Sequence, residues 1–119
     1  MEALKTIQKR EKLNAVYRLG DPDSNGAYHE YTVVSADHTF ILEQIEFQKG
    51  PRKEPGSRHG VLEVDLLEIV RDRLSCFQKG PMANEYNARA LRCIEEALYQ
   101  MNLRVEDRIN RGVLGTKEK

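Results

Sequence analysis

Three arginines near the carboxyl end of the chain have the spacing that best suggests chemistry. Arg104, Arg108 and Arg111 are four and three positions apart, so a helix would place them on one face near its end. Guanidinium groups bind phosphates through paired N–H donors, which makes this face a candidate anion site. Pairing with acidic neighbours is the alternative, which spacing alone favours slightly; those neighbours are Glu96, Glu106 and Asp107.

A second group of candidate residues lies near a Gly-Pro break between two predicted helices. Phe77 can stack a base and Asn87 can hydrogen-bond one. In an antiparallel dimer of helical hairpins, this end of one chain would meet the arginine end and Thr116 of the other chain. The two ends together describe a nucleotide pocket. The alternatives are that Phe77 is ordinary core and Asn87 an exposed residue of a first helical turn.

A Gly/Pro-rich loop, residues 49–60, is a third candidate site. Five basic side chains lie on it: Lys49, Arg52, Lys53, Arg58 and His59. Such a cluster on a turn-forming segment is typical of a local phosphate-binding patch. A solvated linker explains the same residues equally well.

Catalysis and metal binding have little support in the sequence. The three histidines, His29, His38 and His59, have neither the i, i+4 partner nor the cysteine spacing of a metal site, so we expect solvent-facing side chains. Cys76 and Cys93 have no histidine nearby, and we expect buried thiols at a helix interface. We therefore expect a protein that is not an enzyme and needs no metal or cofactor.

Composition excludes several broad classes. The 119 residues include 19 Lys plus Arg and 19 Asp plus Glu, so no net field attracts DNA or an anionic membrane. No apolar run approaches the roughly 18 residues that span a bilayer. The first residues lack the apolar core of a signal peptide, and two cysteines on separate predicted helices are typical of reduced thiols. These features favour a cytosolic protein without DNA or membrane partners.

The first half of the chain has the pattern of a small antiparallel β-sheet. After a short helical or frayed start, we expect strands near residues 12–18, 28–36 and 39–50, with an Asn25-Gly26 turn between the first two. In the third strand, apolar Ile41, Ile45 and Phe47 alternate with polar residues, which indicates one wet face.

The second half has the pattern of a helical hairpin. A first helix from about Leu62 to Lys79, with Asp65 as a possible cap, precedes a second helix that Asn84 would cap and Gly112 would close. The second helix has an apolar stripe, Ala88, Leu91, Ile94, Leu98, Met101, Val105 and Ile109. At roughly 37 Å, it is longer than a chain of this size can cover, which implies a partner chain.

The predicted fold is therefore α+β, an N-terminal sheet followed by a two-helix hairpin in an oligomer. We expect a single domain over residues 1–119, with a β-sheet part at 1–50, the basic loop at 51–60 and the hairpin with its tail at 61–119. Val113 and Leu114 would be costly in water, so the tail is expected to dock on a neighbouring subunit and cover a ligand.

Several segments resemble one protein family. They are IEFQKGP, DLLEIVRDRLSCFQKGP, EYNARAL and the ending RVEDRINRGVLGTKEK. These segments resemble the phage Thoeris anti-defence proteins, whose helical hairpin is shared with phage anti-CBASS sponges. The resemblance covers residues 40–119 well and the N-terminal strands more loosely, and the chain departs from the family pattern at Met82, Leu114 and Lys117.

The resemblance implies a protein that binds and sequesters a nucleotide immune signal without cleaving it. That signal is glycocyclic ADP-ribose made by bacterial TIR-domain proteins. Carried across, Phe77 would stack adenine and Asn87 would contact the base or ribose. Arg104 and Arg108 would contact the phosphates, with two further residues in the closing tail, Arg111 and Thr116.

The resemblance also implies a second site in some relatives, which assemble as hexamers and hold cyclic di- or trinucleotides there. Arg52, Arg58 and His59 would be its residues in this chain. The leading hypothesis is a phage-encoded, homo-oligomeric sponge, a dimer or hexamer, in the cytoplasm of the infected host. A small nucleotide-signal hydrolase and a purely structural oligomerisation hairpin are the alternatives.

Overall fold

The structure is a computed structural model that describes all 119 residues, Met1–Lys119. Its elements in chain order are β1 (Glu2–Ala3), β2 (Asn14–Leu19), β3 (Glu30–Ser35), β4 (Ile41–Glu46), α1 (Glu63–Gln78) and α2 (Glu85–Asn110). The four strands form one antiparallel sheet in the order β1-β2-β3-β4. The α+β fold predicted from the sequence is therefore confirmed.

The chain divides into two compact units. The sheet unit comprises Met1–Lys49 with Arg58–Gly60, and the helical unit comprises Gly50–Ser57 with Val61–Lys119. The Gly/Pro-rich loop, residues 49–60, is thus shared: its central part, Gly50–Ser57, folds with the helices, and both of its ends, Lys49 and Arg58–Gly60, fold with the sheet.

The sheet unit is held by its ladders and turns more than by a core. Val34 is its only buried apolar side chain, at 7% exposure, and the neighbouring Thr32 is buried with its hydroxyl donating to the carbonyl of Glu43. Gly26, at φ +86°, lies in the loop between β2 and β3. This confirms a turn there, because a left-handed residue lets the chain reverse and glycine adopts it without strain.

Two predictions for the sheet are wrong. The chain starts with a short strand rather than the predicted helical or frayed segment, because Glu2 and Ala3 pair with Arg18 and Tyr17 at the edge of β2. A register shift also falls between Val33 and Val34, which pairs Ile41 with Val34 but Ile45 with Tyr31. Since Val34 and Tyr31 point to opposite faces, Ile41 and Ile45 do not share the predicted apolar face.

The two helices form an antiparallel hairpin. The side chain of Gln78 is bonded to both the amide and the carbonyl of Asn84 at the turn, and Arg71 is paired with Glu95 at 3.0 Å further along. The predicted stripe of α2 is half-buried, apart from Ile109, which is exposed. Neither helix is long and apolar enough to cross a membrane.

The helix ends agree with the sequence in all but one detail. The side chain of Asn84 accepts from the amide of Asn87, which confirms the predicted cap of α2, and Gly112 closes the helix at φ +70°. The predicted cap of α1 is wrong. Leu62 is the N-cap, and Asp65 lies within the first turn, where its carboxylate accepts from the Leu62 amide at 2.8 Å.

Candidate functional site

The tail after α2 is held by one buried arginine. Arg108 is 5% exposed, and its guanidinium donates to the carbonyls of Val113, Thr116 and Glu118 at 3.0, 3.2 and 2.6 Å. Three of its five N–H donors are thereby used. No carboxylate lies within ion-pairing distance of it, so a buried positive charge is balanced by carbonyl dipoles alone.

The other site residues predicted near the end of α2 differ in their exposure and in their hydrogen-bond partners. Arg104 is exposed and makes no ion pair or hydrogen bond. Arg111 is paired with Asp107 at 3.0 Å and also donates to the carbonyl of Lys119. Thr116 is half-buried, and its hydroxyl donates to the carbonyl of Val113 at 2.6 Å. Acidic pairing, the alternative raised by the spacing, therefore holds for Arg111 but not for Arg104.

The tail lies against its own chain. Val113 and Leu114 are half-buried rather than exposed, since the Val113 amide bonds to the Arg108 carbonyl and the chain turns back at Thr116. Docking of the tail on a neighbouring subunit stays a prediction. The apolar side chains do not require it, because much of their surface is covered within the chain.

The central part of the basic loop contacts the tail. The amide of Lys53 donates to the carbonyl of Gly115 at 2.9 Å. Gly115 has φ +78°, and a Cβ placed on it would lie 2.8 Å from Cγ and 3.0 Å from Nε of Arg52. A side chain at this position would be strained and would crowd both Arg52 and Lys53, whose Cγ would lie 3.1 Å from the added Cβ.

An aromatic cleft lies at the opposite end of the hairpin. Phe77 is 41% exposed, and the Arg73 guanidinium lies 5.1 Å from its ring centre. The cleft has a volume of about 390 Å³ and is lined by Arg73, Cys76, Phe77, Gly80, Pro81 and Met82. Phe77 is thus partly exposed rather than buried as core, and the Arg73 guanidinium lies over one face of its ring, which leaves the other face for stacking.

Asn87 lies one turn into α2, half-buried, with its amide on the Asn84 cap. Asn87 and Arg104 are 17 positions apart on one helix, which separates them by about 26 Å. A single nucleotide cannot reach from Asn87 to Arg104 within one chain. The predicted pocket therefore requires two chains in antiparallel orientation.

The residues predicted for the second site fall in different units of the chain. Arg58 and His59 belong to the sheet unit, whereas Arg52 belongs to the helical unit and lies over the tail. Arg58 donates from Nη1 to Glu30 at 3.0 Å. Its Nε and Nη2 are buried atoms without a hydrogen-bond partner. Unsatisfied donors of this kind are rare in folded proteins and suit an acceptor that the chain itself does not supply.

The structure corrects two predictions about the reactive residues. Cys76 and Cys93 are both exposed, because neither lies on the stripe by which the helices meet. His29 is 15% exposed at its side chain and lies 2.8 Å from Asp23, whereas His38 and His59 face solvent as expected. No group of three or more His, Cys, Asp and Glu side chains is placed to hold a metal ion.

A larger concavity of about 630 Å³ lies in the N-terminal loop, lined by Ile7, Gln8, Lys9, Arg10 and Glu11. None of its lining residues is aromatic, and all of them belong to one short stretch of chain. We therefore place the candidate site at the two ends of the hairpin.

Sequence reasoning missed Arg52 and Gly115 as neighbours. The two residues are 63 positions apart, so no local spacing relates them. The available signal was Gly115 itself. Gly112 already ends the helix, so a second glycine three residues later indicates a further position where the backbone needs glycine.

The comparisons with known proteins agree with this architecture. A family model described as the Acb2/Tad1 hairpin domain matches residues 41–106, more than half of the chain. The chain is also 42% identical over 87 residues to Thoeris anti-defense 1 of Bacillus phage SBSphiJ7. That alignment covers 73% of this chain and 61% of the relative, so the chain spans less than two thirds of that protein's length. The chain belongs to the Thoeris anti-defence family, whose members carry the Acb2/Tad1 hairpin domain.

Proposed function

We propose that this chain is a phage anti-defence protein that binds and sequesters glycocyclic ADP-ribose without cleaving it. The name of its Bacillus phage relative supports the anti-defence role. The observation that supports this ligand is the positive charge near the tail. Arg104 and Arg108 have no carboxylate partner, and Arg108 is buried. An uncompensated pair of guanidiniums is suited to the pyrophosphate of such a ligand.

The proposed pocket is composite. Two hairpins packed in antiparallel orientation bring Phe77 and Asn87 of one protomer to Arg104, Arg108 and Thr116 of its partner. The adenine stacks on the half-exposed Phe77 ring, and the phosphates lie on the arginines. Arg108 can serve both the tail and the ligand, since two of its five N–H donors have no acceptor in the chain. The assembly is a dimer or a multiple of dimers.

Isothermal titration of the purified chain with glycocyclic ADP-ribose tests this proposal. Sequestration requires a dissociation constant in the nanomolar range, because the protein competes with a receptor for a scarce signal. Phe77→Ala is expected to weaken binding by roughly five- to hundredfold through the loss of base stacking. Arg10→Ala serves as a control, since Arg10 is an exposed arginine in the N-terminal loop.

Recovery of the ligand separates the proposal from its main alternative. After binding, the protein is heat-denatured and the released ligand is analysed by chromatography. Intact ligand supports sequestration, whereas a cleaved product supports a signal hydrolase. No heat on titration would reject the proposal and would leave cyclic oligonucleotide binding or a structural hairpin as the remaining hypotheses.

We also propose a second site for cyclic di- or trinucleotides at Arg58 and His59. Arg58 supports it, since its side chain is 37% exposed and its Nε and Nη2 have no hydrogen-bond partner, so a phosphate would satisfy both donors once the side chain turns outward. The exposed His59 follows directly. Titration with a cyclic dinucleotide should show binding that Arg58→Ala abolishes and Phe77→Ala leaves unchanged. Equal loss in both variants would show that cyclic dinucleotides share the first pocket.

A further inference from the structure

We infer that Arg52 is an additional phosphate-binding residue of the pocket at the tail, an inference that rests on the proposed function. Sequence resemblance assigns Arg52 to the second, cyclic oligonucleotide site. In the structure, its side chain lies beside the tail. There its side chain crosses Gly115, the residue immediately before Thr116.

The contact between the loop and the tail fixes where Arg52 lies. The Lys53 amide donates to the Gly115 carbonyl at 2.9 Å, which ties the loop backbone to the tail backbone. The Arg52 stem then packs on the Gly115 Cα so closely that a Cβ would lie 2.8 Å from Cγ. A long side chain is free to move on most loops, but here its stem is held and only the guanidinium is left to turn.

The charge around this contact points to an anion. Arg52 is exposed and forms no ion pair or hydrogen bond. Arg108 holds the carbonyl of Thr116, and Arg52 covers Gly115, so two guanidiniums without carboxylate partners act on adjacent residues of the tail. Such charges repel each other unless an anion lies between or beside them. A pyrophosphate has enough oxygen acceptors for both.

The inference also explains the choice of glycine at position 115. A residue with a side chain would push the Arg52 stem away from the tail and would be strained at φ +78°. Gly56, in the same loop, has a similar φ of +81°, but nothing lies within 4 Å of a Cβ placed there. Gly56 therefore offers a control with the same backbone strain and no contact with Arg52.

Titration of full-length variants with glycocyclic ADP-ribose tests the inference. Arg52→Ala should weaken binding by roughly ten- to hundredfold, the effect of losing one charge-assisted hydrogen bond to a phosphate. Arg10→Ala should bind like the unmodified chain. Gly115→Ala should weaken binding more than Gly56→Ala, because only the former displaces Arg52. Arg52→Ala should lower the melting temperature only slightly, since its guanidinium has no partner to lose and only the packing of its stem on Gly115 is removed.

The outcomes separate this inference from the function on which it rests. An unmodified chain that does not bind the ligand would overturn both. An unmodified chain that binds tightly, with Arg52→Ala binding equally well, would overturn the role of Arg52 and leave the function standing. If Arg52→Ala weakened the binding of a cyclic dinucleotide but not of glycocyclic ADP-ribose, Arg52 would belong to the second site and the inference would be wrong.

Discussion

Two neighbouring arginines of α2 have different roles at the level of the single residue. Arg108 is buried and supplies donors to three tail carbonyls, whereas Arg104, one turn earlier, is exposed and has no partner. Both are positively charged and lie near the same end of the hairpin. Arg108 therefore has a structural role in addition to any ligand contact, whereas Arg104 has no structural role.

Substitution of each arginine should separate the two roles. Arg108→Ala should lower the free energy of unfolding by about 2–4 kcal/mol, because it removes three hydrogen bonds to the tail and the packing of a buried side chain. Arg104→Ala should change it by less than about 0.5 kcal/mol. Both should weaken signal binding. Urea unfolding at one protein concentration measures the difference, and equal stability of the two variants would contradict the role assigned to Arg108.

Asp23 gives the sheet unit a pH-dependent contribution to stability. The hydrogen bond from His29, followed by those from the Ala27 and Asn25 amides, lowers the pKa of Asp23 below its ordinary value of 3.8. Because the folded pKa is the lower one, this contribution is present above about pH 4. It is lost as the pH falls through the folded pKa.

Asp23→Asn should therefore reduce the fall in unfolding free energy between pH 5 and pH 2, since the variant has no carboxylate to protonate at that position. Urea unfolding at each pH measures the slope. Asp21→Asn is the matched control, because Asp21 is an exposed carboxylate in the same loop that makes no hydrogen bond. The same slope in Asp23→Asn as in the unmodified chain would contradict the assignment.

At the level of the element, the start of α2 sets the position of Asn87. Asn84→Ala removes the acceptor for the Asn87 amide and should cost about 1 kcal/mol, which corresponds to a melting temperature lower by roughly 4 °C. Asn84→Asp keeps the acceptor and should retain most of that stability. Thermal unfolding of both variants tests the cap, and an equal loss in the two would show that the acceptor is not what stabilises the turn.

The helices were predictable to within two residues because their signals are local. The apolar stripe of α2, its asparagine cap and the closing Gly112 all lie within a few positions of what they determine. The same reasoning failed where distant segments meet. The register shift at Val33 and Val34, the strand at Glu2 and the Arg52 contact with Gly115 depend on partners elsewhere in the chain.

The candidate site was predictable as a set of residues but not as an arrangement. Spacing indicated Arg104 and Arg108 as members of one face, and the structure leaves both without acidic partners. Sequence could not show that Arg108 is buried under the tail, because the carbonyls it holds belong to irregular backbone. Binding of a nucleotide by these residues stays a prediction.

Across the whole molecule only three residues are buried: Thr32, Val34 and Arg108. No residue of α1 is fully buried, and Arg108 is the only one in α2. Exposed apolar side chains on the helices include Ile69, Phe77, Tyr99 and Leu103. These features favour association between copies, which is what the composite pocket requires.

A composite pocket predicts recovery of binding between two defective variants. In Phe77→Ala each pocket lacks its aromatic ring, and in Arg104→Ala each pocket lacks an arginine. In a mixed dimer, one pocket takes Phe77 from one chain and Arg104 from the other and is intact. Co-refolding of equal amounts should therefore restore about a quarter of the tight sites, since half of the dimers are mixed and each has one intact pocket.

The number of tight sites is measured by titration with glycocyclic ADP-ribose, and mixing Phe77→Ala with Asn87→Ala provides the matched control. Phe77 and Asn87 lie at the same end of the hairpin, so every pocket in that mixed dimer lacks one of them and no tight site should return. Recovery in the first mixture and not in the second requires that the two ends of the pocket come from different chains. Without recovery in the first mixture, the antiparallel composite pocket would be wrong. No pocket could then combine the two ends of the hairpin, because a single nucleotide cannot bridge the roughly 26 Å between Asn87 and Arg104 within one helix.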